Sequence, residues 1–155
     1  MSQTLKAWHF VGDRLRDGTK IPADGKILKF NKTPILCEQG LHASIDAFDA
    51  LTYAPGPTLC LVECGGEIIK SDDKLVCTER TIIARMDATE MLGYFARMQA
   101  LSVIHIWDAP DVVLDYLMTA DEGIRVAAGD AAWAAAWAAA WVAARVAAWA
   151  SAGAA

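Results

Sequence analysis

Between Ile35 and Glu67 the chain carries its densest run of local signals, and that run limits how everything around it can be arranged. Ile35 to Cys37 reads as a short strand, Gly40 supplies a turn, and Ser44 stands as N-cap to IDAFDALTYA, with Asp46 and Asp49 near the positive end of that helix. Ile45, Phe48, Leu51 and Thr52 recur at helical spacing. Pro55 and Pro57 around Gly56 stop the helix and launch the strand TLCLVEC. Gly65-Gly66 then turns the chain into EIIK, which predicts a hairpin at that point.

The flanks supply more strands. In TLKAWHFV, Leu5, Ala7, His9 and Val11 fall on one face and Lys6, Trp8 and Phe10 on the other, so both faces carry bulk and the strand is expected to be central. GDRLRDGTKIPADGKIL is turn chemistry and reads as an ordered loop that keeps Asp13, Arg14, Arg16 and Asp17 near the end of that strand. LVCTERTIIARMDA alternates as one long strand or two. A helix is expected from Thr89 through Leu101, and another in DVVLDYLM, with Asp108 capping and Pro110 in the first turn. Strands mixed with short helices and a helical end make the class α+β, with a small mixed or antiparallel sheet as core.

From Ala131 a tetrad repeats: AAWA, AAWA, AAWV, AARV, AAWA. Trp133, Trp137, Trp141, Arg145 and Trp149 therefore share one ridge of a slender helix, and a division into a domain over 1–126 and a helical tail over 127–155 follows. The ridge can dock on its own domain or on a second copy, which is the reading adopted. Alternatively, exposed indoles can stack on a base. A membrane span is disfavoured, because uncharged Ala131 to Ala144 falls short of the ~20 residues required and Arg145 interrupts the row.

A length of 155 residues suffices for a real core, and a net charge of −5 argues against a surface for duplex nucleic acid. Cys37, Cys60, Cys64 and Cys77 lack a CxxC pair and read as reduced thiols, which suits the cytoplasm. Cys60 and Cys64 on one strand lie roughly 13 Å apart, too far to share a metal. No metal and no cofactor is expected. MSQTLKAW has no apolar core of a signal peptide.

Three groups of polar residues sit on segments that otherwise look buried: His9, then His42 with Ser44, then Glu79 with Arg80. Arg14, Arg16 and Arg80 could supply donors to phosphate oxygens, since the guanidinium fork matches them, although each reads equally well as a solvated surface charge.

KAWHFVGDRLRDG, LCEQGLHAS followed by ALTYAPG, DKLVCTERTI and HIWDAPDVV together resemble a family of small phage and bacterial proteins. That family is known mainly as a domain of unknown function, its members tend to end in Ala-rich helices, and the likeness covers nearly the whole chain. More loosely, the order of signals is similar to the ADP-ribosyltransferase and RNA 2′-phosphotransferase superfamily. That resemblance implies that His9 holds the ADP-ribose portion, that Gly40, His42 and Ser44 form a second motif followed by a helix bearing Ala50 and Tyr53, and that Glu79 is the strand-borne catalytic carboxylate. His42 stands where those proteins place an aromatic residue, and Cys77 where many place a second Glu or Gln.

Two functional expectations follow. One is a cytoplasmic nucleotide-binding protein, of the host cytoplasm if phage-encoded, that holds an NAD-derived or cyclic nucleotide and so sequesters an immune signal in an anti-defence role. Its ligand contacts would be His9, Arg14, Arg16, Gly40, His42, Ser44, Tyr53 and Arg80. The other is a mono-ADP-ribosyltransferase or allied NAD-consuming enzyme with Glu79, His42 and His9 as catalytic residues. In either, self-association through Trp133, Trp137, Trp141 and Trp149 is expected, and an interaction module acting through that helix alone is the third possibility.

Overall fold

The computed structural model describes residues 4–152, with side chains through residue 146. Five antiparallel strands and four α-helices alternate in the order β1 (Leu5–Val11), β2 (Ile27–Lys29), β3 (Leu41–Ala43), α1 (Ala47–Thr52), β4 (Thr58–Lys70), β5 (Leu75–Asp87), α2 (Thr89–Ser102), α3 (Asp111–Thr119) and α4 (Arg125–Ala152). The class is α+β. Contacts divide the chain into two compact units, Met1–Leu92 and Gly93–Ala155.

In the first unit, β4 and β5 form a long hairpin, closed by a bond from the Ser71 N–H to the Lys74 carbonyl at 2.8 Å. β1 lies on the outer edge of β4, with Ala7 opposite Val62 and His9 opposite Cys60. The outer edge of β5 is shared by two short strands, β3 against Leu75 to Cys77 and β2 against Glu79 to Thr81. Just beyond β3, Ser44 exchanges both backbone hydrogen bonds with Trp8, at 2.7 and 2.9 Å. That bridge links β3 back to β1, so the sheet closes on itself through β1, β4, β5 and β3 as a small, partly closed barrel.

The interior of this ring is filled by Ala7, Val11, Ala43, Cys60, Val62, Cys64, Leu75, Cys77 and Ile82. Alanine, cysteine and valine dominate because few strands enclose little room, and the three interior cysteines are reduced thiols used as small apolar residues. The other face of β1 and β4 packs Phe10 and Leu59 against Ala50 of α1 and against Ala88, with Trp8, Leu51 and Leu92 around them. β1 thus carries packed side chains on both faces, but it is not the central strand expected: it ends the strand order, pairing along its length with β4 and touching Ser44 through a single bridge on its other edge.

Four local expectations are corrected. Gly65-Gly66 does not reverse the chain: Gly66, at φ 70, opens a bulge within β4, where Gly65 to Ile68 opposes only Glu79 to Cys77. A side chain at Gly66 would collide with the Thr78 hydroxyl, which accepts the Glu67 N–H at 2.9 Å. Ile35 to Cys37 is a turn, with Ile35 bridged to Gln39, and the strand follows Gly40. Asp46 caps α1 by accepting the Phe48 N–H at 2.7 Å, because the Ser44 backbone is engaged with Trp8. Pro110, with no side-chain cap, occupies the N-cap of α3 in place of Asp108.

In the second unit, α3 packs on the start of α4. The least exposed face of α4 is an alanine stripe: Ala128 is buried and Ala131, Ala132 and Ala135 are half-buried, the i, i+3, i+4, i+7 spacing of one helical face. The Trp ridge is not the docked face here, since Trp133, Trp137 and Trp141 are 69%, 56% and 62% exposed. Trp149 lies within the helix, but its side chain is outside the described residues. By length and composition alone, Arg125–Val146 could cross a membrane.

Candidate functional site

A cleft of about 960 Å³ opens in the first unit, within the size range of sites for nucleotide-sized molecules. β1 contributes Trp8 to Val11, the following loop Arg14 to Asp17, β2 and its exit Leu28 to Phe30, the turn and strand Cys37 to Ser44, and the end of α1 Ala50 and Tyr53. Lys74 and Arg80 reach it from β5 and its preceding turn. Closure of the ring puts these segments around one opening, because β3 is held between β5 and the Trp8–Ser44 bridge.

Arg80 forms the floor. Its side chain is almost fully enclosed, at 6% exposure for the residue, and it donates through Nη1 to the His42 carbonyl. Its neighbours are the thiols of Cys60, Cys64 and Cys77, and no carboxylate pairs with it among the described residues. Burial lowers its pKa, as expected for a cation removed from water without a counter-charge.

The two histidines are neutral. Burial is the main cause for His9, with the charge of Arg80 and then His42 adding to it, and its pKa falls from 6.5 to about 3. His42 is lowered chiefly by burial and also by Arg16, Arg80 and Lys74, while a bond to the Gly40 backbone acts the other way. Its Nε2 accepts the Cys37 N–H at 3.0 Å, which requires that nitrogen to be unprotonated. Cys37 adopts φ 64 to present that N–H, and Gly40, at φ 116, lets the turn pass where a Cβ would strike Val76.

Tyr53 stands at the rim, donating its hydroxyl proton to Asp73 Oδ2 and accepting from Lys74 Nζ at 2.8 Å. Lys74 Nζ also sits 4.4 Å from the ring centroid, so the ring is held from two sides. Asp73 is lowered by the Tyr53 hydrogen bond, and Lys74 is raised mainly by the same hydroxyl.

His9, Arg14, Arg16, Gly40, His42, Ser44, Tyr53 and Arg80 all line this one cleft. Glu79 does not. It lies next to Arg80 on β5, but adjacent strand residues point to opposite faces, and its carboxylate bonds Lys29 Nζ at 2.8 Å beside Gly65. The set His9, His42 and Glu79 is therefore not gathered in the cleft. Trp8, Phe30, Cys37 and Lys74 are lining residues that sequence reasoning had not placed there. Lys74 carried a usable signal, the acidic SDD turn that returns the chain into β5.

Five cations and two carboxylates, Asp17 and Glu38, line the cleft of a protein whose net charge is −5. Lys29 is engaged by Glu79 and Lys74 by Asp73, and Asp17 is occupied by the Thr19 N–H and hydroxyl. That leaves Arg14, Arg16 and Arg80 without an ion pair among the described residues, and Arg14 bonds only a carbonyl, that of Gly18, at 3.0 Å. No group of three or more His, Cys, Asp and Glu among the described residues is arranged to hold a metal.

No curated protein matches the chain, and neither does any solved structure. Residues 5–93, the unit that holds the barrel and its cleft, match the family described as Domain of unknown function (DUF7666), and the chain belongs to that family.

Proposed function

We propose that the cleft binds a small anionic ligand with an aromatic ring, of the nucleotide class, and holds it without turnover. The observation that carries this reading is Arg80, a buried guanidinium facing the cleft with no carboxylate partner among the described residues. A buried charge of this kind is costly, and an incoming phosphate would offset that cost with charge-assisted hydrogen bonds. Arg14 and Arg16 on the rim favour the same ligand charge, and Phe30 and the braced Tyr53 offer faces for a planar ring.

Binding is favoured over transfer because a glycosyl transfer needs a carboxylate close to an oxocarbenium-like centre. Glu79 is held outside the cleft by Lys29, and of the two lining carboxylates Asp17 is already engaged by Thr19.

The test is thermal denaturation against NAD, ADP-ribose, cyclic ADP-ribose and cyclic dinucleotides, with each mixture then checked by mass spectrometry. A ligand at 100 times its Kd should raise the melting temperature by roughly 5–10 °C. A shift with intact ligand supports binding. Consumption of the ligand would replace this reading with an NAD-consuming enzyme, and no shift with any phosphate compound would remove the nucleotide site.

A further inference from the structure

Helix α4 has two distinct sides. At about 100° per residue, the less exposed alanine stripe of Ala128, Ala131, Ala132 and Ala135 occupies one side. Asp130, Trp133, Trp137, Trp141 and Arg145 fall within a sector of about 120° on the opposite side. All five are exposed, and Trp133 and Trp137 already meet edge to face at 6.4 Å. An exposed ridge of indoles closed by one acid at its N-terminal end and one base at its C-terminal end has the pattern of a self-complementary surface.

We propose that this ridge is the interface of an antiparallel homodimer, in which Asp130 of each copy pairs with Arg145 of the other. A two-fold axis between Trp137 and Ala138 brings these charges opposite each other at both ends of the ridge. The same register sets Trp141 opposite Ala134, Trp137 opposite Ala138 and Trp133 opposite Val142, so each indole meets a smaller side chain along the seam. In a parallel pair the like charges would face each other, so the charge order selects the antiparallel arrangement.

The exposed area is adequate. Three indoles that each bury roughly 150–250 Å² when covered supply a large part of the ~800 Å² per partner of a stable interface. A bilayer fits the ridge less well: uncharged Ala131 to Ala144 spans about 21 Å against ~30 Å of hydrocarbon, and Asp130 and Arg145 would sit at the ends of that short stretch.

The test is sedimentation equilibrium of the full chain, unchanged and as Asp130→Arg, Arg145→Asp and the double reversal, with circular dichroism to confirm helix content. The expected result is a dimer for the unchanged chain, a dissociation constant raised about tenfold or more in each single variant, and recovery in the double variant. Trp137→Ala with Trp141→Ala should yield monomer. A monomeric unchanged chain, insensitivity to the single reversals, or no recovery in the double variant would overturn the proposal. So would tail-dependent pelleting with neutral phosphatidylcholine vesicles, which would assign the ridge to lipid.

Discussion

The N-terminal barrel hides polar groups that proteins usually expose, whereas the C-terminal helix exposes apolar groups that proteins usually hide. In the barrel, Arg80 is buried among thiols and His9 is half-buried in register with Cys60. On α4, three tryptophans stand in solvent while alanines form the less exposed face. Both arrangements cost free energy in an isolated chain, and each cost would be relieved by the partner proposed for it: an anion for the guanidinium, a second apolar ridge for the indoles. The contrast teaches that unfavourable placement is informative about function only where its chemistry names what would relieve it.

The largest effect that would break this contrast is on ligand affinity. Arg80→Met keeps side-chain volume and removes the charge, so affinity for a phosphate ligand should fall about 100-fold or more while the melting temperature stays level or rises. Binding calorimetry alongside thermal denaturation would show both. A large loss of stability would instead mean that the guanidinium holds the barrel together.

Gly40→Ala tests the wall of the cleft. At φ 116, and with Val76 in the way, a Cβ should destabilise the barrel by about 2 kcal/mol or more, seen as a lower urea midpoint. An unchanged midpoint would show that this turn relaxes freely.

The neutral histidines predict a pH dependence. His9 titrates near 3 when folded and near 6.5 when unfolded, so below pH 6.5 the unfolded chain takes up a proton that the folded protein refuses. Stability should therefore fall as pH drops from 6.5 toward 4, with His9 contributing a slope of up to about 1.4 kcal/mol per pH unit, and His42 adding in the same direction. Asp17, Asp73 and Asp87 are also lowered, from 3.8, but their stabilisation is lost only as pH falls below that value. Denaturation of His9→Gln should show a flatter profile between pH 6.5 and 4, and an unaltered slope would mean that His9 is solvated.

The smallest effect belongs to Glu79. Glu79→Gln removes an exposed ion pair with Lys29, worth about 0.5 kcal/mol or less, and should leave ligand affinity unchanged. Loss of an NAD-consuming activity in this variant would return Glu79 to a catalytic role.

Much of this arrangement was legible in the sequence. The alternation of Leu5 to Val11 marked β1 as a strand, though not its place at the end of the strand order, the period in LVCTERTIIARMDA marked β5, and the Ala/Trp tetrads could form little else than a helix. What escaped was long-range. Ile27 to Lys29 lies in a Gly- and Asp-rich loop and becomes a strand only because the edge of β5 is open beside it. Gly65-Gly66 has the composition of a turn, but its flanks pair with β5 on both sides, which makes it a bulge. Glu79 and Arg80 are adjacent in sequence, and which of them enters the cleft is settled by the register against Gly65 and Cys64. Local composition could nominate Arg80 and its companions, but not the ring closure at Trp8 and Ser44 that gathers them.

The most direct measurement is calorimetric titration of ADP-ribose and of pyrophosphate into the unchanged protein and into Arg80→Met, each at low and moderate salt. Binding that is salt-sensitive in the unchanged protein and about 100-fold weaker in a fully folded Arg80→Met would place the anion on the buried guanidinium. Equal affinity in the two proteins, or no binding of either compound to the unchanged protein, would contradict that assignment.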